Sequence, residues 1–137
     1  MIKKTIKYTD YNGVERTEDY YFNLNKTEVI EMQVSVEGGY SELIDRIIKT
    51  DDNREIVNVL KTIILKSYGE KSIDGKRFMK VDDNGNPLYR KFEDTEAFVE
   101  LYMELANNAK KAAEFINAVI PNMDDFKLVE NDKVVEN

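Results

Sequence analysis

The hydrophobic period of this chain changes at Asn25, and that change limits the folds open to it. Before Asn25 the apolar residues alternate: Ile2, Ile6 and Tyr8 occupy even positions, Asp10-Tyr11-Asn12-Gly13 follows, and Tyr20, Tyr21 and Phe22 close the stretch. Alternation of this kind belongs to strands, and Asn-Gly favours a turn because both residues tolerate positive φ. Residues 1–24 are therefore expected to form a β-hairpin. A two-residue turn at Asn12-Gly13 would set Ile6 opposite Asp19 and Lys7 opposite Glu18. A loop one residue longer pairs Ile6 with Tyr20 and Lys7 with Asp19. The longer loop is the expected one, since it places apolar beside apolar and lysine beside acid.

After Asn25 the period becomes helical. Asn25-Lys26-Thr27-Glu28 reads as a capping box, followed by Val29, Ile30, Met32 and Val36 on one face. Gly38-Gly39 ends that helix, and Ser41 is placed to cap a second, short one carrying Leu43, Ile44, Ile47 and Ile48. Asp51-Asp52-Asn53 separates it from a third. There, Ile56, Val57, Val59, Leu60, Ile63, Ile64, Leu65 and Tyr68 cover so much of the circumference that a central, buried helix is expected, with Gly69 at its C′ position.

Residues 69–93 are the least regular. Asp74-Gly75 and Asn84-Gly85-Asn86-Pro87 are turn signals around a short strand or hairpin at residues 77–81. Asp94 or Thr95 caps a fourth helix with Phe98, Leu101, Tyr102 and Leu105 at i, i+3, i+4 and i+7. A break at Asn107-Asn108 precedes a fifth, with Ala112, Ala113, Ile116, Val119 and Ile120, closed by Pro121. The expected architecture is α+β and mostly α: an N-terminal β-hairpin packed on a bundle of about five helices. It occupies residues 1–121 as one domain, and residues 122–137 form a frayed acidic tail.

Composition narrows the function. A net charge of −7, with basic residues scattered among acids, disfavours nucleic acid as the main partner, because phosphate contacts need a concentrated positive face. The absence of cysteine leaves no disulfide framework and no thiol nucleophile. The Met1-to-Lys7 start has no apolar segment behind it, so no secretory signal is expected. The longest apolar stretches, such as Ile63-Ile64-Leu65, are far from the roughly 20 residues of a membrane span. An intracellular, soluble protein is the expectation.

Histidine is also absent, which removes the commonest general base and metal ligand. Asp82-Asp83-Asn84-Gly85-Asn86 has oxygen ligands beside a glycine, but its spacing is not that of a calcium loop. With Asp82 at position 1, Gly85 falls at 4 where an EF-hand needs glycine at 6. Gly69-Glu70-Lys71-Ser72 and Asp74-Gly75-Lys76-Arg77 lack the spacing and the preceding strand of a phosphate loop. No enzyme and no cofactor are expected; the remaining alternative is a carboxylate-dependent enzyme that uses the acids near Asp74 or Asp82 and binds a divalent metal.

What remains is protein binding. The eight tyrosines and six phenylalanines concentrate at Tyr20-Tyr21-Phe22 and in the stripe Phe98-Leu101-Tyr102-Leu105. Core packing is the ordinary use of both groups, and a docking surface is the other. With Lys76, Arg77 and Phe78 they make up the candidate partner-binding residues.

The segments Thr9 to Asp19, Tyr21-Phe22-Asn23-Leu24, Tyr68-Gly69-Glu70-Lys71-Ser72, Asp74-Gly75-Lys76-Arg77-Phe78 and residues 98–106 with Met-Glu-Leu-Ala resemble one family. It is the tail assembly chaperones of siphovirus-type phages and prophages of Gram-positive bacteria. The resemblance spans residues 1 to about 121. It implies a protein that binds the long, helical, aggregation-prone tape measure protein and recruits tail tube subunits to polymerise around it. It also implies residence in the host cytoplasm, absence from the finished virion, and for many members a longer frameshifted form. Self-association is compatible with it. A charged skin around an apolar patch, with adaptable methionines such as Met32, Met79, Met103 and Met123, suits such a client. The rival reading is a structural virion component, such as a tail completion or connector subunit.

Overall fold

A computed structural model describes residues 1–35 and 53–121. The expected second helix at Ser41 to Ile48, the Gly38-Gly39 stop and the tail from residue 122 lie outside the described residues. The elements run β1 (Ile2–Thr9), β2 (Glu15–Phe22), α1 (Lys26–Ser35), α2 (Asn53–Ser67), β3 (Tyr68–Lys71), β4 (Phe78–Met79), α3 (Tyr89–Glu93), α4 (Glu96–Ala106) and α5 (Ala109–Val119). The class is mixed α+β. The strands form one antiparallel sheet in the order β1-β2-β3-β4, so the N-terminal hairpin is half of a larger sheet.

The hairpin register differs from expectation. Ile6 faces Glu18 and Lys7 faces Thr17, two residues away from the Ile6–Tyr20 and Lys7–Asp19 pairs that hydrophobic matching favours. The turn decides this. Gly13 N–H donates to the Asp10 carbonyl and Asp10 N–H to the Val14 carbonyl, both at 2.9 Å. One Asp10 carboxylate oxygen accepts from the Asn12 and Val14 N–H groups. Gly13, at φ +81°, therefore closes a three-residue loop, with its backbone in the region that glycine enters without penalty. A slip of two residues keeps the pleat in phase, so Ile6, Tyr20 and Phe22 still face inward. Asp82 repeats the device: its carboxylate accepts from the Asn84 and Asn86 N–H groups, and Gly85 sits at φ +82°.

Helix starts follow their sequence signals. Glu28 N–H donates to the Asn25 side chain at 2.8 Å while Asn25 N–H donates to Glu28 Oε1 at 2.9 Å, a reciprocal capping box. Thr95 caps α4 by accepting from Phe98 N–H, and Asn108 caps α5 by accepting from Lys111 N–H. Leu60, Ile63 and Ile64 of α2 are buried, but Val57 is exposed, so the wide apolar circumference of this helix is only partly covered.

Gly69 is not a helix cap. Helix α2 ends at Ser67, and the chain passes directly into β3, where Gly69 pairs with Tyr21 and Tyr68 with Phe22. Its φ is not positive. A Cβ there would lie 2.5 Å from Phe78 Cε2 and 2.6 Å from the Met79 carbonyl oxygen, so glycine is required by close approach. Tyr68, expected on the helix, instead stacks on Phe92 of the unanticipated α3, with centroids 4.3 Å apart and planes 4° from parallel. Phe92 is also edge-on to Phe22 and Phe98, and Phe22 edge-on to Phe115. Ile6, Phe22, Met32, Leu60, Leu105 and Ile116 belong to that same continuous core.

Candidate functional site

The pleat sorts the candidate partner-binding residues. Phe22, Phe98, Leu101 and Leu105 lie in the core, where their loss would cost packing before it touched any surface. Tyr20 and Tyr102 are half-buried against them. Tyr21 points the other way, onto the outer face of the sheet, as strand alternation requires.

Tyr21 has company there. It pairs with Gly69, and the Phe78 ring stands over that same glycine, so the two aromatics flank one small residue. Lys71 Nζ lies 4.6 Å from the Tyr21 ring centroid and Lys80 Nζ 5.7 Å from that of Phe78. Contacts of this kind contribute roughly 0.5–1 kcal/mol at exposed sites. Lys80 is also anchored: its ammonium donates to Glu28 Oε2 at 2.7 Å and to the Lys66 carbonyl at 2.8 Å. Lys76 and Arg77 are exposed on the adjoining turn and form no ion pair among the described residues. The structure thus joins Tyr21 and Phe78 into one surface beside Lys76 and Arg77. It adds Lys71 and Lys80, which sequence reading missed because their place depends on pairing β3 with both β2 and β4.

The inner face carries one polar knot. Tyr8 and Tyr20 both donate to Glu18 Oε1, the latter at 2.7 Å, and Arg16 lies 3.8 Å from Glu18 Oε2. These bonds, that from Tyr8 foremost, hold the Glu18 carboxyl below its usual range. Burial first, then the bonds to Tyr8 and Glu18, raises the Tyr20 phenol. The phenols satisfy a carboxylate that the register places opposite Ile6, so the group reads as structural. Among the described residues no cluster of three or more Asp and Glu side chains is placed to hold a metal ion. Nor, among those residues, is any helix long and apolar enough to cross a membrane.

The outer face of the sheet thus carries the half-buried Tyr21 and Phe78 rings with Lys71 and Lys80 over them and Lys76 and Arg77 on the adjoining turn. Comparison with known proteins gives this a setting. No curated protein and no solved structure matches the chain. A family model described as phage tail assembly chaperone matches residues 1–131. That match takes in every strand and helix described above, and the chain belongs to the phage tail assembly chaperone family.

Proposed function

We propose that this protein binds the tape measure protein, keeps it dispersed and recruits tail tube subunits around it, acting without catalysis in the host cytoplasm and leaving before the virion is complete. The family match over residues 1–131 carries this reading. The outer sheet face supports it physically. Tyr21 and Phe78 give an apolar centre on a backbone fixed by strand pairing, and Lys71, Lys76 and Arg77 give a rim that favours acidic flanks on a helical client. Rings held on a rigid platform lose little entropy on docking. The net charge of −7 keeps the loaded complex in solution by repulsion between complexes.

Co-expression with the tape measure protein of the same gene cluster tests the reading. The client should move to the soluble fraction, and Tyr21→Ser combined with Phe78→Ser should return it to the pellet while the chaperone stays folded. A client as insoluble with the protein as without it would defeat the proposal. Mass spectrometry of purified particles gives an independent test. Recovery of the chain there at stoichiometric level would favour a structural virion component.

A further inference from the structure

The segment Asp124-Asp125-Phe126-Lys127-Leu128-Val129-Glu130 lies outside the described residues, but the structure fixes where the chain departs toward it. Helix α5 ends at Val119, whose carbonyl accepts from the Leu24 N–H at 3.0 Å, and Ile120 follows it in an extended, buried conformation. Leu24 is itself buried, and the neighbouring Asn23 N–H donates to the Ser67 carbonyl at 2.7 Å. The departure point at Pro121 is thus tied to the end of β2. Leu24 stands three residues past Tyr21, at most about 11 Å of chain, whereas the five residues from Pro121 to Phe126 reach about 17 Å.

The outer sheet face at that end has an apolar centre and uncompensated positive charge. Tyr21 and Phe78 flank Gly69, and Lys71, Lys76 and Arg77 form no ion pair among the described residues. The nearby acids are already engaged. Asp19, on the Tyr21 side of β2, accepts from the Thr5 hydroxyl at 2.6 Å and lies 4.0 Å from Lys3. Asp74 Oδ1 accepts from the Ser72 hydroxyl and the Lys76 N–H within its own turn. The segment after Pro121 has the opposite pattern: Phe126, Leu128 and Val129 between Asp124-Asp125 and Glu130. In an extended conformation Phe126 and Leu128 share one face, and Lys127 points away from it. The family match, which runs on to residue 131, takes in this segment as well as the folded part.

We propose that residues 124–130 turn back over the end of β2 onto the outer sheet face of their own chain. Phe126 and Leu128 cover Tyr21 and Phe78, and the flanking carboxylates meet Lys71, Lys76 and Arg77. Charge complementarity and the position of Pro121 select this occupant. Its consequence rests on the reading of that face as the client platform: the segment shields the rings until a client displaces it. A short tether holds such a segment at an effective concentration of the order of millimolar, so a contact whose free-peptide Kd is about 0.1 mM leaves roughly one platform in ten open and weakens client binding about tenfold.

The chain has no tryptophan, so Phe126→Trp in the full protein supplies a single fluorescent reporter. Its emission should lie to the blue of that from the same protein also carrying Tyr21→Ser and Phe78→Ser. Circular dichroism and thermal melts establish that both are folded. The blue shift should not depend on protein concentration, and it should shrink as salt rises to about 1 M, where the Debye length is roughly 3 Å. Phe126→Ser combined with Leu128→Ser should lower the Kd for the tape measure protein about tenfold. Emission that is the same with and without the platform substitutions overturns the proposal. A blue shift that grows with protein concentration also overturns it, because the occupant is then a second copy. So does a Phe126→Ser, Leu128→Ser protein that binds the client no tighter than a client-binding wild type. If neither protein binds the client, the client reading fails, while the fluorescence still decides whether the segment docks.

Discussion

Replacing Gly69 with alanine is expected to destabilise this protein by roughly 2 kcal/mol, and the figure follows from contacts with two residues, Phe78 and Met79. The new Cβ would meet Phe78 Cε2 at 2.5 Å, Phe78 Cδ2 at 3.0 Å and the Met79 carbonyl oxygen at 2.6 Å. The ring can swing away, at the cost of uncovering the strand beneath it. The carbonyl cannot, because Met79 is paired with Glu70 in the β3–β4 ladder, so the two strands must separate locally. Overpacking of this kind costs about 1–3 kcal/mol. Since Gly69 is not at positive φ, alanine recovers roughly 0.5–1 kcal/mol by restricting the unfolded chain. Partial loss of the Phe78 ring's burial, about 1 kcal/mol, offsets that gain. Urea unfolding followed by far-UV circular dichroism is the assay, and a midpoint lowered by about 1 M is expected for m near 2 kcal/mol/M. In a Phe78→Leu background the penalty should shrink but persist, because the carbonyl contact remains. A Gly69→Ala protein as stable as the wild type, or more so, would refute the close-approach account. The same substitution should weaken client binding if the platform of Tyr21 and Phe78 is the docking surface.

Three further expectations rest on separate observations. Glu18 has a folded pKa below the usual 4.5, so its contribution is present above that value and lost as pH falls through the folded pKa. Glu18→Gln should therefore be less stable than wild type near neutral pH, and the gap should close in acid; a pH-independent gap in urea unfolding would contradict this. Asn25→Ala should cost about 1 kcal/mol by removing the cap. Glu28→Ala should cost more in the same thermal melts, because Glu28 also anchors Lys80 at 2.7 Å. Phe92→Ala should cost about 3–5 kcal/mol, since its ring contacts Tyr20, Phe22, Tyr68 and Phe98 together; a loss below about 1 kcal/mol would mean that the cluster closes over the gap.

Much of the local structure was legible in the residues alone. The capping box at Asn25 and Glu28, the cap at Thr95, the helix break at Asn107-Asn108 and the turns closed by Gly13, Gly75 and Gly85 are hydrogen-bonded within a few residues. The two-residue pleat likewise puts Tyr20 and Phe22 on one face of their strand and Tyr21 on the other whatever the register. Of the candidate site, Tyr21, Lys76, Arg77 and Phe78 could be singled out from sequence. Whether Phe98, Leu101 and Leu105 faced a partner or the core could not, since an amphipathic stripe reads the same either way.

Tertiary structure settled what depends on residues distant in sequence. Hydrophobic matching chose a register two residues away from the one the Asp10 turn imposes, because the hydrogen bonds of that loop outweigh one apolar cross-strand pair. Gly69, beside the end of a helix, looks like a cap; only the approach of Phe78 and Met79 across β3–β4 reveals it as a site where no side chain fits. Phe92 carries no periodic signal on its five-residue helix, yet it joins rings from β2, β3 and α4. Local hydrogen-bond geometry is written in neighbouring residues. The choice of which side chains share a face, and which backbone atoms nearly touch, is made by strand pairing and packing across the whole domain.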